Sequence, residues 1–167
     1  RNLVKNGVCS KAFLLPFSID TNIYKNLNLK KDIDVFAVFT TNNKVYPNRE
    51  KVHKLLKEMK GVSCFTKRVE HEDYINKINR SKICITSNNK FKSLSIKYYE
   101  IMACGSLLLA DEPEDLKELG FIDGKHLVIY KNLSDLKDKI FYYLDHEKER
   151  EEISNMGMSF VIEYHNN

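Results

Sequence analysis

The chain has 167 residues, of which 43% are hydrophobic and 30% are charged. This length suits one domain with its own core, and the spread of charges along the chain excludes an intrinsically disordered protein. The net charge of +4 suits a small polyanionic ligand, but it falls short of the basic stripe of a nucleic-acid-binding protein, so we expect no nucleic-acid partner.

The first 30 residues differ in pattern from the rest of the chain. FLLPFSID (13–20) is typical of a strand broken by Pro16, and a polar stretch typical of a linker follows it. Because the chain begins at Arg1 rather than at methionine, we expect it to be a piece of a longer protein. Residues 31–167 form the predicted domain.

Five short apolar runs predict strands. They are IDVFAVFT (33–40), VSCFTK (62–67), KICITS (82–87), SLLLAD (106–111) and HLVIY (126–130). Runs that are apolar nearly throughout are typical of strands covered on both faces, as in a parallel sheet.

Amphipathic stretches of helical period separate these runs. They predict helices at 48–60, 71–80, 93–104, 112–119, 133–146 and 147–163. Pro47 and Gly61 flank the first helix, and Ser134 is the predicted N-cap of the fifth. The alternation of strands and helices predicts an α/β fold, namely a Rossmann-like parallel sheet with helices on both faces.

The cysteines and the hydropathy of the chain indicate its cellular location. The four cysteines stand singly along the chain, which predicts free thiols and a cytoplasmic location. No run approaches the roughly 20 apolar residues of a membrane span, so we expect none.

Ligands of an open parallel sheet bind at the carboxyl ends of the strands, where loops lead into helices. The 40–49 loop ends in Arg49, which either meets phosphate oxygens or pairs with a neighbour such as Glu50. The 86–95 loop enters a helix, whose dipole favours anions. It carries four polar side chains that could contact an anion: Lys90, Lys92, Ser93 and Ser95.

Lys97 and Glu100 lie three residues apart on one face of the predicted 93–104 helix. A carboxylate there could accept hydrogen bonds from ribose hydroxyls while Lys97 faces a phosphate. The residues alone favour the simpler alternative, an ion pair on the surface. The P-loop and GxGxxG motifs do not occur in the sequence, which argues against an ATPase or an NAD enzyme.

One long stretch resembles a known family. KYYEIMACGSLLLADEPEDLKELGFIDGKHLVIY, followed by a helix and by EYHN, resembles the C-terminal half of two-domain, Rossmann-type glycosyltransferases of group 1, which have the GT-B fold. More narrowly, it is similar to the bacterial group related to spore-maturation glycosyltransferases. LPFSID and NIYKNLNLKKDIDVFAVFT resemble the family's crossover between domains. By this resemblance, residues 1–30 are a crossover strand and linker from a missing N-terminal domain, and 31–167 bind the nucleotide-sugar.

The resemblance implies roles for individual side chains. Glu100 would bind the ribose of the donor nucleotide, while Lys97 and Arg49 would reach its phosphates. Arg68 and Val69 would lie in the loop that cradles the base.

The mouth of the 93–104 helix departs from the family pattern. Many relatives carry a second glutamate, in contact with the donor sugar, at the position of Lys92. Together with Ser93 and Ser95, Lys92 is instead predicted to contact the donor phosphates.

The implied reaction transfers a sugar from a nucleoside diphosphate sugar to an acceptor hydroxyl, with the acceptor bound through the missing domain. The resemblance requires neither a metal nor a cofactor. The acidic residues at 111–115 are typical of the first turn of a helix, and we interpret them so rather than as a metal site. The sequence assigns no catalytic residue, and we expect this piece alone to bind donor without turnover. Two alternatives stay open: a non-catalytic nucleotide-sugar-binding or interaction domain, and a flavodoxin-like or response-regulator-like module.

Overall fold

A single parallel sheet forms the centre of the molecule. The structure is a computed structural model that describes residues 6–11, 13–37, 39, 42, 44–67 and 69–166, without the side chains of His71 and Glu72. Its five strands, in the spatial order β2-β1-β3-β4-β5, are β1 (Ile33–Phe36), β2 (Cys64–Phe65), β3 (Ser81–Thr86), β4 (Leu107–Asp111) and β5 (Val128–Tyr130). All neighbouring pairs are parallel, which confirms the predicted sheet.

Helices cover both faces of this sheet, also as predicted. They are α1 (Arg49–Glu58), α2 (His71–Asn79), α3 (Ile96–Ala103), α4 (Leu133–Asp145) and α5 (Glu147–Tyr164). Successive strand residues enter opposite cores because side chains alternate across a sheet. Val35 packs in one core with α1 and α4, whereas Phe36 packs in the other with α2 and α3. None of the helices in the described ranges is long and apolar enough to cross a membrane.

The helix predicted at 112–119 is wrong, because residues 114–120 form a series of turns. A backbone N–H group and a carboxylate that could stabilise the first turn of a helix form hydrogen bonds with another loop instead. The backbone N–H of Glu114 donates to the Lys92 carbonyl (2.8 Å), and the Asp115 carboxylate accepts from the Leu94 N–H (3.0 Å). These bonds tie the turns to the loop before α3.

Two other local predictions also need correction. The N-cap of α4 is Asn132, whose side chain accepts a hydrogen bond from the Asp135 N–H at 3.0 Å, and not Ser134. Helix α3 begins at Ile96 rather than at Ser93, with Ser95 as its N-cap.

The predicted broken strand at 13–20 is reduced to one bridge, between Ile19 and Asn166. The Ile19 N–H also donates to the His165 carbonyl at 2.8 Å, so this segment is attached to the end of α5. Phe13 and Leu15 before it are 88% and 90% exposed. The assignment of residues 1–30 as a crossover from another domain stays a prediction.

Helix α5 lies against the connection between β4 and β5 at Gly157. A Cβ atom at this position would lie 2.2 Å from the backbone oxygen of His126, which is closer than any real contact allows. The close approach of two backbones therefore requires glycine here.

We expect Gly157→Ala to lower the free energy of unfolding by about 1–3 kcal/mol, the usual cost of overpacking. Alanine is the better helix former by up to about 1 kcal/mol, so propensity alone predicts the opposite sign. Urea unfolding measures the difference. Asn155→Ala, at an exposed position of α5, is the matched control and should change stability by under about 0.5 kcal/mol. A Gly157→Ala variant as stable as the wild type would contradict this packing.

Candidate functional site

The strand order places a crevice between β1 and β3. Helix α1 follows β1 and packs on one face of the sheet, whereas α3 follows β3 and packs on the other. The loops at the carboxyl ends of these two adjacent strands therefore diverge, and such a switch point is where open α/β sheets bind ligands.

Lys97 and Glu100 meet at this end of the sheet through a third residue, Tyr74 of α2. The Tyr74 hydroxyl donates to Glu100 Oε2 (2.9 Å) and accepts from Lys97 Nζ (3.0 Å). Glu100 is only 8% exposed. The alternative of a surface ion pair is therefore wrong, since the carboxylate is buried and its link to Lys97 runs through a phenol.

Burial and the Glu100 carboxylate shift the pKa values of the groups in this network. Burial lowers the pKa of Lys97, the positive charge of Arg49 lowers it further, and the Glu100 carboxylate opposes both. Burial and the same carboxylate raise the pKa of Tyr74, and likewise that of Tyr24 from the linker. The phenols stay protonated, so Tyr74 can act as the donor to Glu100.

The first turn of α3 offers further groups for an anion. Ser95, the N-cap, has extended backbone (φ −106°, ψ 160°), and its buried hydroxyl forms no hydrogen bond with any residue that the structure describes. The first N–H groups of a helix have no partner inside the helix and point along the positive end of its dipole. A phosphate oxygen could accept hydrogen bonds from these N–H groups.

Arg49 reaches the crevice but is buried, with 4% of its surface exposed. Its Nε and Nη2 donate to the Ser87 carbonyl (3.2 and 3.1 Å), and its guanidinium lies 3.5 Å from the centre of the Tyr46 ring. Burial lowers the pKa of this guanidinium. The structure therefore shows Arg49 holding the end of β3, with Tyr46 covering it.

Lys92 and Ser93 lie on a separate part of the same edge. Lys92 is exposed, has left-handed backbone (φ 51°), and borders a cavity of about 420 Å³ over the ends of β3, β4 and β5 that also includes Asp111. The Ser93 hydroxyl accepts a hydrogen bond from Asn89 Nδ2 at 2.8 Å, so it supports the loop. Neither residue contacts the network of Tyr74.

The base-binding prediction is only partly visible in the structure. Val69 is half-buried and packs against the core on the α2 and α3 face of the sheet. Arg68 lies outside the described residues.

Sequence reasoning missed the two tyrosines that contact or face Glu100. Tyr74 lies in the predicted 71–80 helix, and in the structure its ring packs on Phe36 with centroids 5.8 Å apart. The sequence shows no sign that its hydroxyl reaches Glu100, because that contact depends on how α2 and α3 pack. Tyr24 lies in the segment that resembles the family's crossover, but that resemblance gives it no role at the site.

A model of the family described as glycosyl transferase-like matches residues 26–167 of the chain. The chain belongs to this family. No curated protein matches this glycosyl transferase-like chain significantly in sequence.

Solved glycosyltransferase structures share its fold. Sucrose-phosphate synthase from Thermosynechococcus elongatus matches with a TM-score of 0.72 and 13% identity, over 99% of this chain and 52% of that one. HepE from Anabaena, in complex with UDP and glucose, matches with a TM-score of 0.68 and 12% identity, over 89% and 52%. The C-terminal domain of the group 1 glycosyl transferase LpcC from Francisella tularensis matches with a TM-score of 0.66 and 11% identity, over 89% of this chain and 98% of that domain.

These identities establish likeness of fold alone. The chain spans about half the length of the synthase and of HepE, and nearly all of the LpcC C-terminal domain. This extent fits the C-terminal half of a GT-B architecture. The narrower likeness to spore-maturation enzymes, the cytoplasmic location and the independence from metals stay predictions.

Asn88 organises the cavity beside Lys92. Its backbone N–H and side-chain Nδ2 donate to Asp111 (2.6 and 3.0 Å), and its Oδ1 accepts from the Tyr98 hydroxyl (2.9 Å). These bonds join the end of β4 to the loop before α3.

Because Asn88 is 5% exposed, its truncation to alanine removes buried hydrogen bonds that water cannot replace fully. We expect Asn88→Ala to lower the free energy of unfolding by roughly 1–3 kcal/mol in urea melts. Asn22→Ala, at an exposed linker position, should stay within about 0.5 kcal/mol of the wild type. Equal effects of the two substitutions would show that the Asn88 bonds add nothing to stability.

Proposed function

We propose that the parent protein transfers a sugar from a nucleoside diphosphate sugar to an acceptor hydroxyl, and that this chain binds the donor. The observation that carries the proposal is the buried Lys97–Tyr74–Glu100 network at the switch point of a glycosyl transferase-like domain. Its carboxylate suits a ribose diol, and its ammonium lies in the first turn of a helix that suits a diphosphate.

Glu100 binds the ribose in this proposal. A carboxylate accepts about four hydrogen bonds, and Tyr74 and Tyr24 leave part of that capacity for the sugar hydroxyls. HepE, which shares the fold, has been crystallised with UDP and glucose, so UDP is the first nucleotide to test. Val69 and Arg68 contact the base.

The donor phosphates lie against Lys97, Ser95 and the first turn of α3. When the sugar leaves, negative charge grows on the diphosphate, and an ammonium and a helix dipole already in place stabilise it. Arg49 contributes its positive charge from beneath Tyr46, and Ser93 supports the loop. Lys92 contacts the donor from the rim of the neighbouring cavity. The nucleotide-sugar is a substrate, and the proposal involves no cofactor or metal.

The acceptor binds through a domain outside this chain, so the activity belongs to the parent protein. We propose that this chain alone binds donor without turnover. A transfer assay on the parent separates an enzyme from a non-catalytic nucleotide-sugar-binding domain, which would bind the donor equally well without releasing the nucleotide.

Calorimetric titration of the 167-residue chain with UDP, GDP, ADP and their sugars tests donor binding. We expect one nucleotide to bind and Glu100→Gln to weaken it by about 1–3 kcal/mol, since a neutral amide is a poorer acceptor for ribose hydroxyls. Glu152→Gln, at an exposed position of α5, should leave the affinity unchanged. If a folded wild-type chain binds none of these nucleotides, the proposed function is wrong.

The lowered pKa of Lys97 gives the binding a pH signature. A bound diphosphate favours the charged ammonium and raises this pKa towards its ordinary value. At a pH between the pKa of Lys97 in the free chain and its pKa in the complex, Lys97 is charged only in the complex. Binding therefore takes up protons in this range, and the affinity falls as the pH rises.

Calorimetry at about pH 8, in buffers of different ionisation enthalpy, should therefore show net proton uptake, because the diphosphate of UDP is already deprotonated there while its uracil ring still holds its proton. Lys97→Met should abolish the uptake. Lys54→Met, at an exposed position of α1, should retain it. Uptake of the same size in the Lys97→Met variant would place the diphosphate away from Lys97.

A further inference from the structure

The hydroxyl of Tyr74 contacts both charged groups of the network. Its ring is anchored against Phe36 of β1 (centroids 5.8 Å apart), and the Lys97 ammonium also lies 4.3 Å from the ring centre. The hydroxyl then lies 2.9 Å from Glu100 Oε2 and 3.0 Å from Lys97 Nζ. The position of this hydroxyl is therefore fixed by the core and not by the ligand.

The direction of both hydrogen bonds is fixed by chemistry. An ammonium only donates and a carboxylate only accepts, so the single phenol proton points at Glu100 and an oxygen lone pair points at Lys97. Burial and Glu100 raise the pKa of Tyr74, which keeps that proton in place. The phenol thus holds the two charges in defined positions on either side of its oxygen.

Without the phenol, the two charges would meet. Lys97 and Glu100 lie three residues apart on one helix, a spacing at which lysine and glutamate form direct pairs. In such a pair the Glu100 carboxylate would turn towards the ammonium, and its oxygens would leave the position in which Tyr74 holds them for the ribose hydroxyls.

We propose that Tyr74 is a positioning residue that holds Glu100 ready for the ribose hydroxyls and thereby sets the preference of the site for a ribonucleotide. The proposal rests on the proposed function, since it assigns the Glu100 carboxylate to the ribose. It adds the residue on which the recognition of the sugar hydroxyls depends.

The test compares UDP with 2′,3′-dideoxy-UDP, which keeps the base and diphosphate but lacks both ribose hydroxyls. The wild type should bind UDP more tightly than the dideoxy compound. Tyr74→Phe keeps the ring packing and removes only the hydroxyl, so we expect its affinity for UDP to fall roughly tenfold while that for the dideoxy compound changes little. The ratio of the two affinities should approach one.

Tyr142→Phe is the matched control, because it removes an exposed tyrosine hydroxyl that donates to Glu149 at 2.8 Å. It should leave the ratio unchanged. Thermal unfolding checks that both variants are folded. In the Glu100→Gln background, Tyr74→Phe should have no further effect on the ratio, because Tyr74 acts through the carboxylate.

The outcomes distinguish a failure of the proposed role of Tyr74 from a failure of the proposed donor binding. If the folded wild type binds no nucleotide, the proposed function is wrong and this inference with it. If the wild type prefers UDP to its dideoxy analogue and Tyr74→Phe keeps the full preference, only the role of Tyr74 is wrong. An equal fall in affinity for both compounds would also overturn it, because that pattern indicates that Tyr74 acts on diphosphate binding through Lys97 and not on ribose recognition.

Discussion

The hydroxyl of Tyr74, set between a buried carboxylate and a half-buried ammonium, is the interaction on which the candidate site depends. Isolated charges are costly to bury, and a buried carboxylate persists only where hydrogen bonds replace its water. Glu100 obtains one such bond from α2, on which Tyr74 lies. The site is thus made by the packing of two helices, and it could not form on α3 alone.

That packing follows from the sheet. Each strand sends alternate side chains into two cores, so α2 and α3 lie together on one face while α1 and α4 lie on the other. Buried polar groups lie at both edges of the sheet: Asn79, Ser81 and Ser106 at the amino edge, and Arg49, Thr86 and Asn88 at the carboxyl edge. Protein cores rarely contain charged side chains. A buried charge is therefore expected mainly at a functional site, where the stability of the rest of the domain offsets its cost.

Much of the fold could be predicted from the sequence, because apolar runs and helical periodicity report burial directly. All five strands and five of six helices lie where those patterns indicate. The 112–119 helix failed because Asp115 and the Glu114 backbone bond to the loop before α3, a long-range contact that periodicity does not show. Likewise, Glu100 and Lys97 were recognisable as a pair, whereas the phenol between them comes from a residue 26 positions away from Glu100. Arg49 was placed at the correct edge, but its burial under Tyr46 depends on how the loop folds back.

The central claim is that a donor nucleotide lies across the first turn of α3 with its ribose on Glu100. A crystal structure of the chain grown with UDP tests this claim most directly. The account predicts that the ribose hydroxyls lie within about 3 Å of the Glu100 carboxylate and that the diphosphate lies beside Lys97 and Ser95. UDP bound in the cavity beside Lys92 and Asp111, with no contact to Glu100, would contradict it.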